Sequence, residues 1–147
     1  MSVDEASGLS LGRLDGLLGF HLRMASAAVA RDFAATLEDL GLTQKQCAVL
    51  ELIAANPQVS QIDMAATLGM DRATMMAVVD RLDDRGLVLR AASQRDRRRQ
   101  ELTLSESGQT LLREARRRIA QHERRFLDRL GPERAALLMQ LLPAIYG

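Results

Sequence analysis

Residues 90–104 read Arg90-Ala-Ala-Ser-Gln-Arg95-Asp-Arg-Arg-Arg99-Gln-Glu-Leu-Thr-Leu104, an arginine-dense turn between two short runs of alternating apolar residues. The apolar positions are Leu87 and Leu89 before the turn, and Leu102 and Leu104 after it. Alternation, a polar cluster and renewed alternation predict a β-hairpin. Because the tip of this hairpin carries four arginines, we expect it to contact an anionic partner. They are Arg95, Arg97, Arg98 and Arg99.

The composition is that of one folded domain. The chain has 147 residues, of which 47% are hydrophobic and 27% charged, so disorder is not expected. Aromatic residues make up only 3%, so the core must consist of Leu, Ala, Val and Met, which favours helix over sheet. The single cysteine, Cys47, fits a reducing cytoplasm. We expect neither a secretory signal nor a transmembrane segment.

Charge is distributed unevenly along the chain. Residues 1–70 carry four basic and eight acidic side chains, whereas residues 71–147 carry sixteen and eleven. The first part therefore has a net charge of −4 and the second of +5. All but one of the basic residues are arginine, whose planar guanidinium suits contacts to phosphate and guanine. A codon bias towards arginine would explain the choice of residue, but it would not explain the clustering.

Capping residues divide the chain before the hairpin into helices. The predicted N-caps are Thr43, which forms a capping box with Gln46, then Ser60 and Asp71. Glycines at positions 41, 69 and 86 are predicted to end the preceding helices. In the third helix, Ile62, Ala65, Ala66 and Leu68 are expected to face inward. Short helices followed by a hairpin predict a winged helix-turn-helix over residues 43–104.

Long helices flank this central part. Residues 10–40 show one amphipathic stripe, an arginine-rich helix is expected from Ser105 or Ser107 to Leu130, and a last helix covers residues 133–145. The faces of the terminal helices are too apolar for a single copy. We therefore expect a homodimer, with residues 1–9 as a flexible tail and 10–147 as one domain. Within it, residues 10–40 and 105–147 would dimerise.

The fourth helix, which begins after Asp71, is the expected recognition helix, since such helices contact bases through residues near their N-terminus. Arg72 suits guanine, and Thr74 suits a base or a phosphate. Met76 and Ala77 suit thymine methyl groups. Arg81 suits a phosphate, although a solvated lattice of charges on the helix surface is an equal alternative. An ordinary surface helix that begins with an arginine is the alternative for the whole element.

The hairpin tip fits the groove of a duplex. Like charges on a short turn repel one another unless a ligand neutralises them, and arginine inserts readily into a narrow minor groove. Asp96 would oppose phosphate binding, so we interpret it as a brace that holds the guanidinium of Arg98, two residues on. A solvated run of charges is the alternative interpretation.

The chain resembles MarR-family transcriptional regulators. The matching segments run from Gly41 to Leu50, Ile62 to Gly69, Asp71 to Thr74, Val79 to Leu82, Arg85 to Val88, with Arg90, Asp96-Arg-Arg98, Leu102-Thr103-Leu104 and Gly108. The resemblance implies a homodimer on a pseudo-palindromic DNA operator, and repression that a small, often phenolic ligand relieves. It also implies wing roles for Asp96 and Arg98, and recognition-helix roles for Arg72 and Thr74.

The effector site is the least defined feature. By resemblance, a ligand would lie between the dimer helices and the DNA-binding lobe, where Phe20, His21 and Met24 could face Cys47 and Leu50. A histidine in an apolar stretch is more often a core or interface residue. Cys47, on the apolar stripe of its helix, is interpreted as a small buried hydrophobe rather than a peroxide sensor.

Three classes of function remain for comparison. We favour a ligand-responsive DNA-binding regulator. A winged-helix module that binds proteins without binding DNA is the alternative, and the arginine-rich tip argues against it. An enzyme is not expected, because no catalytic constellation emerges from the sequence. Nor do we expect a cofactor or a metal site, since His21 and His122 are isolated from other metal-binding residues.

Overall fold

The computed structural model describes residues 8–147, so most of the predicted tail lies outside the described residues. The helices are α1 (Leu18–Leu37), α2 (Gln44–Ala55), α3 (Gln61–Leu68), α4 (Arg72–Asp84), α5 (Glu106–Leu130), α6 (Pro132–Leu141) and α7 (Pro143–Tyr146). The strands are β1 (Val59–Ser60), β2 (Val88–Ala92) and β3 (Gln100–Leu104). Two 3-10 helices cover Gly12–Gly16 and Glu38–Leu40. This confirms the predicted winged helix-turn-helix with flanking helices.

The predicted N-caps are confirmed at the atomic level. The Gln46 backbone amide donates to the Thr43 hydroxyl at 3.2 Å, and the Thr43 amide donates to the Gln46 side-chain oxygen at 3.1 Å. Ser60, Asp71 and, of the two alternatives for α5, Ser105 each accept a bond from the amide three residues on. Each bond satisfies a helix N–H that lacks an intrahelical partner.

The flanking helices are more divided than predicted. The expected single helix over residues 10–40 is interrupted at Leu17, which is extended, with a 3-10 helix before α1 and another after it. Gly12, at φ +56°, begins the first 3-10 helix in a backbone conformation that disrupts a regular α-helix. The expected last helix is divided at Leu142 because Pro143 has no backbone N–H to donate.

The core lies between α2, α4 and the sheet, with α1 and α5 closing its sides. Its fully enclosed members come from all of these elements and include Leu37, Leu50, Ile53, Met75, Leu82, Val88, Leu102 and Leu112. The expectation for α3 was partly wrong, because Met64 and Ala65 are buried while Ile62 and Ala66 are exposed. Within residues 8–147, every helix is too short or too polar to cross a membrane.

The sheet has one strand more than predicted. Its order is β1-β3-β2, all antiparallel, with Val59 and Arg90 on either side of Leu102. The predicted alternation before the turn was wrong in its details. Leu87 lies before β2 and is buried next to Val88, whereas Leu89 is 56% exposed. The hairpin is therefore held over the helices by Val88 and Leu102.

Candidate nucleic-acid interface

Backbone hydrogen bonds order the wing, which we define as residues 88–104. Ser93 is buried, and its hydroxyl accepts bonds from the amides of Arg95 and Asp96 at 3.2 and 3.3 Å. The Ser93 amide donates to the Arg99 carbonyl at 2.9 Å, and the Arg99 amide donates to the Asp96 carbonyl at 2.9 Å. The arginines therefore project from a closed, hydrogen-bonded turn.

The predicted brace between Asp96 and Arg98 is present. The Asp96 carboxylate accepts bonds from the backbone amide of Arg98 at 3.1 Å and from its Nε at 3.3 Å. The Arg98 side chain is nevertheless 93% exposed. An ion pair in water contributes little to folding stability. Its effect here is on geometry, since it holds a cation outward from the tip.

The other three arginines of the tip are not equivalent. Arg99 faces α3, with its guanidinium 3.7 Å from Asp63 and 3.9 Å from Asp96. Arg95 and Arg97 are exposed, and neither forms an ion pair with an acidic residue among residues 8–147. The tip therefore offers Arg95, Arg97 and the braced Arg98 outward, while Arg99 ties the wing to α3.

The predicted readers on α4 differ in availability. Arg72, the first residue of the helix, and Ala77 are exposed, as is Met76 at 53%. Thr74 is half-buried, and its amide donates to the Asp71 carboxylate at 2.7 Å. Hydrogen bonds from the Thr74 amide and hydroxyl hold the pKa of Asp71 below its usual value. The Thr74 amide is thus engaged in capping α4.

Arg81 borders a cleft between α4 and the start of α2. The cleft has a volume of about 320 Å³, and its lining includes Thr43, Lys45, Thr74, Ala77 and Arg81. Lys45 is a candidate phosphate contact that the sequence did not reveal, because nothing local indicates that the start of α2 lies beside α4. Two exposed cations therefore border the predicted reading surface of α4.

The wing and α4 are joined by Arg90. Its guanidinium forms an ion pair with Asp80 and lies 3.4 Å from Asp83. Asp80 therefore pairs with a residue of the wing. Arg85 is also structural, since it donates to the carbonyls of Leu40 and Gly41 at 2.9 and 3.0 Å. These contacts fix the orientation of α4 relative to the wing and to the 3-10 helix that follows α1. No local pattern of the sequence indicates the bonds of Arg85.

The candidate effector residues occupy two different environments. Phe20 and Met24 are half-buried on α1, and His21 is exposed, with its Nε2 2.7 Å from the Asp15 carbonyl oxygen. Cys47 and Leu50 belong to α2 and are buried in the hydrophobic core of the protein. Burial raises the pKa of the Cys47 thiol to about 11, which leaves little reactive thiolate at neutral pH.

Three arginines of α5 bind acidic groups on other elements, namely Arg116, Arg118 and Arg125. Arg116 forms a bidentate pair with Glu51 of α2, at 2.7 and 2.8 Å. Arg118 bridges Glu114 and Asp39, and hydrogen bonds from Arg117 and Arg118 lower the pKa of Glu114 to about 2. The partners in the cross-element pairs are 65 and 79 residues apart in the sequence, so no local pattern predicts these pairs.

A buried polar contact joins α5 to α1. His122 is 1% exposed, and its Nδ1 lies 2.5 Å from the Asp32 carboxylate. Arg125 donates to the same carboxylate at 2.8 Å. The ring of His122 lies edge-on between Phe33 and Phe126. These contacts are structural, since they attach the middle of α5 to the last turns of α1.

Comparisons with known proteins agree with this geometry. A sequence profile of the MarR family matches residues 40–99. A transcriptional regulatory protein assigned to the hcr operon of Thauera aromatica is 34% identical over 136 residues, which cover 92% of this chain and 82% of that protein.

The fold is also similar to that of solved structures. The transcriptional repressor CouR, bound to a 23-mer DNA duplex, has a TM-score of 0.91 and 36% identity, over 95% of this chain and 99% of CouR. CouR bound to p-coumaroyl-CoA has a TM-score of 0.86 and 34% identity, over 94% of this chain and 97% of CouR. From the extent of the match to the Thauera protein, the chain belongs to the MarR family of transcriptional regulators.

Proposed function

We propose that two copies of this chain form a repressor that binds a pseudo-palindromic DNA operator and leaves it when a small aromatic ligand binds. The observation that carries the proposal is the braced Arg98, held outward on the wing beside an α4 that begins with the exposed Arg72. A cation on a hairpin and an arginine at the start of a helix are suited to two neighbouring grooves of one duplex.

The two reading elements would have different roles. Helix α4 would lie in the major groove, where Arg72 contacts guanine, Arg81 contacts a phosphate, and Met76 and Ala77 contact apolar base edges. Thr74 would contribute mainly through capping, because its amide binds the Asp71 carboxylate and its side chain is half-buried. The outward arginines of the wing would bind phosphates and the minor groove without reading much sequence. Affinity would therefore come mostly from the wing.

Apolar side chains at the two ends of the domain support the dimer. The exposed ones within residues 8–147 include Leu14, Leu17, Leu18, Leu137, Leu138, Met139, Leu141, Ile145 and Tyr146. They belong to the ranges proposed for dimerisation, 10–40 and 105–147. Burial of such groups between two copies is favourable by about 25 cal/mol per Å². Each lobe, residues 43–104, would then bind one half-site.

The proposed ligand is an aromatic acid or its thioester. The relative CouR has been solved with p-coumaroyl-CoA. In this chain, Phe20, His21 and Met24 would form the wall of the site on α1, while the buried Cys47 and Leu50 would form its floor. Ligand binding would change the spacing of the lobes, so that the two α4 helices no longer reach successive major grooves.

DNA binding can be tested with the full-length protein. Duplexes selected by the wild-type protein from a random library would be titrated by fluorescence anisotropy at several salt concentrations. We expect affinity to fall steeply with salt, and Arg98→Ala to weaken binding to all duplexes and reduce the slope. Arg72→Ala should relax base preference at a cost of about 1–3 kcal/mol. Arg113→Ala, on the exposed surface of α5, is the control.

Three outcomes would contradict the proposal or a part of it. Salt-independent binding would argue against phosphate contacts by the wing. Failure of the wild-type protein to select any duplex would favour a winged-helix module that binds other proteins. Identical base preferences of Arg72→Ala and the wild type would remove Arg72 from the reading residues.

A further inference from the structure

A small apolar notch opens between α3 and α4, on the side of the molecule where α4 begins. It has a volume of about 100 Å³ and is lined by Gln61, Ile62, Ala65, Arg72, Met75 and Met76. Two of its apolar side chains are accessible to solvent, Ile62 at 38% and Met76 at 53%. Met75 is fully buried and closes the base of the notch.

The notch is placed beside a predicted base-reading residue. Arg72 and Met76 are four residues apart on α4, so they share a face of the helix. Ile62, on the neighbouring α3, points to solvent rather than to the core, contrary to the sequence-based expectation. The start of α4 thus presents a cation with an accessible apolar patch next to it.

The 5-methyl group of thymine has the chemistry that this patch requires. It is an apolar group on a major-groove base edge, and apolar side chains contact it. A volume of about 100 Å³ accommodates a group the size of a methyl, which is comparable to a water molecule at about 30 Å³. Because Arg72 lines the same notch, we place the thymine next to the base that Arg72 contacts.

We propose that the notch of Ile62, Ala65 and Met76 binds the methyl group of a thymine, adjacent to the guanine read by Arg72, in each half-site of the operator. The inference rests on the proposed DNA binding and adds a specificity site with one defined base. Met76 and Ile62 are its specificity residues, and Ile62 comes from α3 rather than from the recognition helix.

Uracil substitution tests the inference directly, because it deletes the methyl group and keeps every hydrogen-bonding atom of the base. A duplex selected by the wild-type protein would be resynthesised with one thymine at a time replaced by uracil. One position per half-site should lose affinity about fourfold, and about fifteenfold when both half-sites are changed. The other thymine positions are the internal control.

Variants of Met76 connect the effect to the notch. Met76→Ala should bind the thymine and uracil duplexes with equal affinity, whereas Met76→Leu, which keeps the apolar volume, should retain most of the difference. Because the Met76 side chain is more than half exposed, neither variant should unfold the chain, and thermal melting checks this. Ile62→Ala is the second variant and should reduce the difference.

The outcomes separate the two proposals. Strong, salt-dependent binding with no uracil-sensitive position, or with a sensitive position that Met76→Ala leaves unchanged, overturns the notch and leaves DNA binding intact. An absence of duplex selection overturns both. A sensitive position that vanishes with Met76→Ala supports the notch, and its neighbour should then be the position at which Arg72→Ala relaxes base preference.

Discussion

Asp96 is an acidic residue among the arginines that we propose contact DNA. Replacing it separates the effect of its negative charge on DNA binding from its effect on the orientation of Arg98. Coulomb's law alone predicts that Asp96→Ala tightens DNA binding, because it removes a negative charge near phosphates. We expect the opposite, a loss of about fivefold or less, because Arg98 loses the carboxylate that orients it. Anisotropy titration of a selected duplex measures the difference.

A second variant controls for the charge. Asp96→Asn also removes the negative charge but keeps an oxygen that can accept the bond from the Arg98 amide. It should bind more tightly than Asp96→Ala. Equal or higher affinity of Asp96→Ala relative to the wild type would show that the brace has no effect on binding.

Whether a residue's role could be predicted depended on how far away its partner lies in the chain. The pair of Asp96 and Arg98 is two residues apart, so a local argument was enough. Arg85 binds carbonyls 44 and 45 residues away, and no pattern in its own neighbourhood indicates this. Lys45 was missed for the same reason. The exposure of Ile62 depends on how α3 packs against α4, which periodicity alone does not determine.

Among the helices, the start of α5 is the most constrained by its neighbour. A Cβ at Gly108 would lie 2.0 Å from the backbone oxygen of Leu87, where Ser105 also donates to the Gly86 carbonyl at 2.5 Å. We expect Gly108→Ala to lower the free energy of unfolding by about 2 kcal/mol, because two backbone segments must separate. Urea unfolding followed by circular dichroism measures the change.

A glycine in open space provides the control for this substitution. Gly19 is the second residue of α1, and no atom from other segments of residues 8–147 lies within 4 Å of the position of its Cβ. Gly19→Ala should raise the free energy of unfolding by at most about 0.5–1 kcal/mol, the helix-propensity difference in the middle of a helix. If Gly108→Ala proves as stable as Gly19→Ala, the backbone of α5 does not lie as close to residues 86–87 as the structure shows.

The ion pairs of α5 predict a dependence of stability on pH. Glu114 has its pKa lowered to about 2 by Arg117 and Arg118, below the value of about 4.3 in an unfolded chain. Its stabilising contribution is therefore complete above the unfolded pKa and is lost as the pH falls through the folded pKa. Glu114→Gln should have a lower urea midpoint than the wild type at about pH 6. The gap should close towards pH 2, whereas a gap independent of pH would contradict this role.

The starts of helices could be predicted from neighbouring residues, whereas the pairing of strands could not. The N-caps of α2, α3 and α4 were predicted because a cap acts over three residues. Strand β1 has only two residues and exists because it pairs with β3, some forty residues further on, so it leaves no periodic signal. Pro143 could have indicated that the last helix is divided before α7. The prediction relied on the continuous apolar face instead.

The proposed dimer can be tested on the whole molecule. Leu141, 53% exposed on α6, belongs to the apolar surface assigned to dimerisation. We expect Leu141→Asp to produce a monomer that binds a single half-site weakly. The free-energy cost of burying a carboxylate in the dimer interface would exceed the favourable free energy that the interface gains at this position. Light scattering measures the mass. The equally exposed Leu89, on β2, provides a control, since Leu89→Asp should remain dimeric.

The attachment of the wing to α4 through Arg90 has a consequence for the evolution of the promoters this protein would control. A lobe in which both reading elements are joined cannot adjust them separately. One base pair inserted within a half-site, between the bases that α4 contacts and the minor groove that the wing contacts, rotates one relative to the other by about 35°, and the joined elements cannot follow. Operators of such a regulator should therefore tolerate many base substitutions but hardly any insertion or deletion within a half-site.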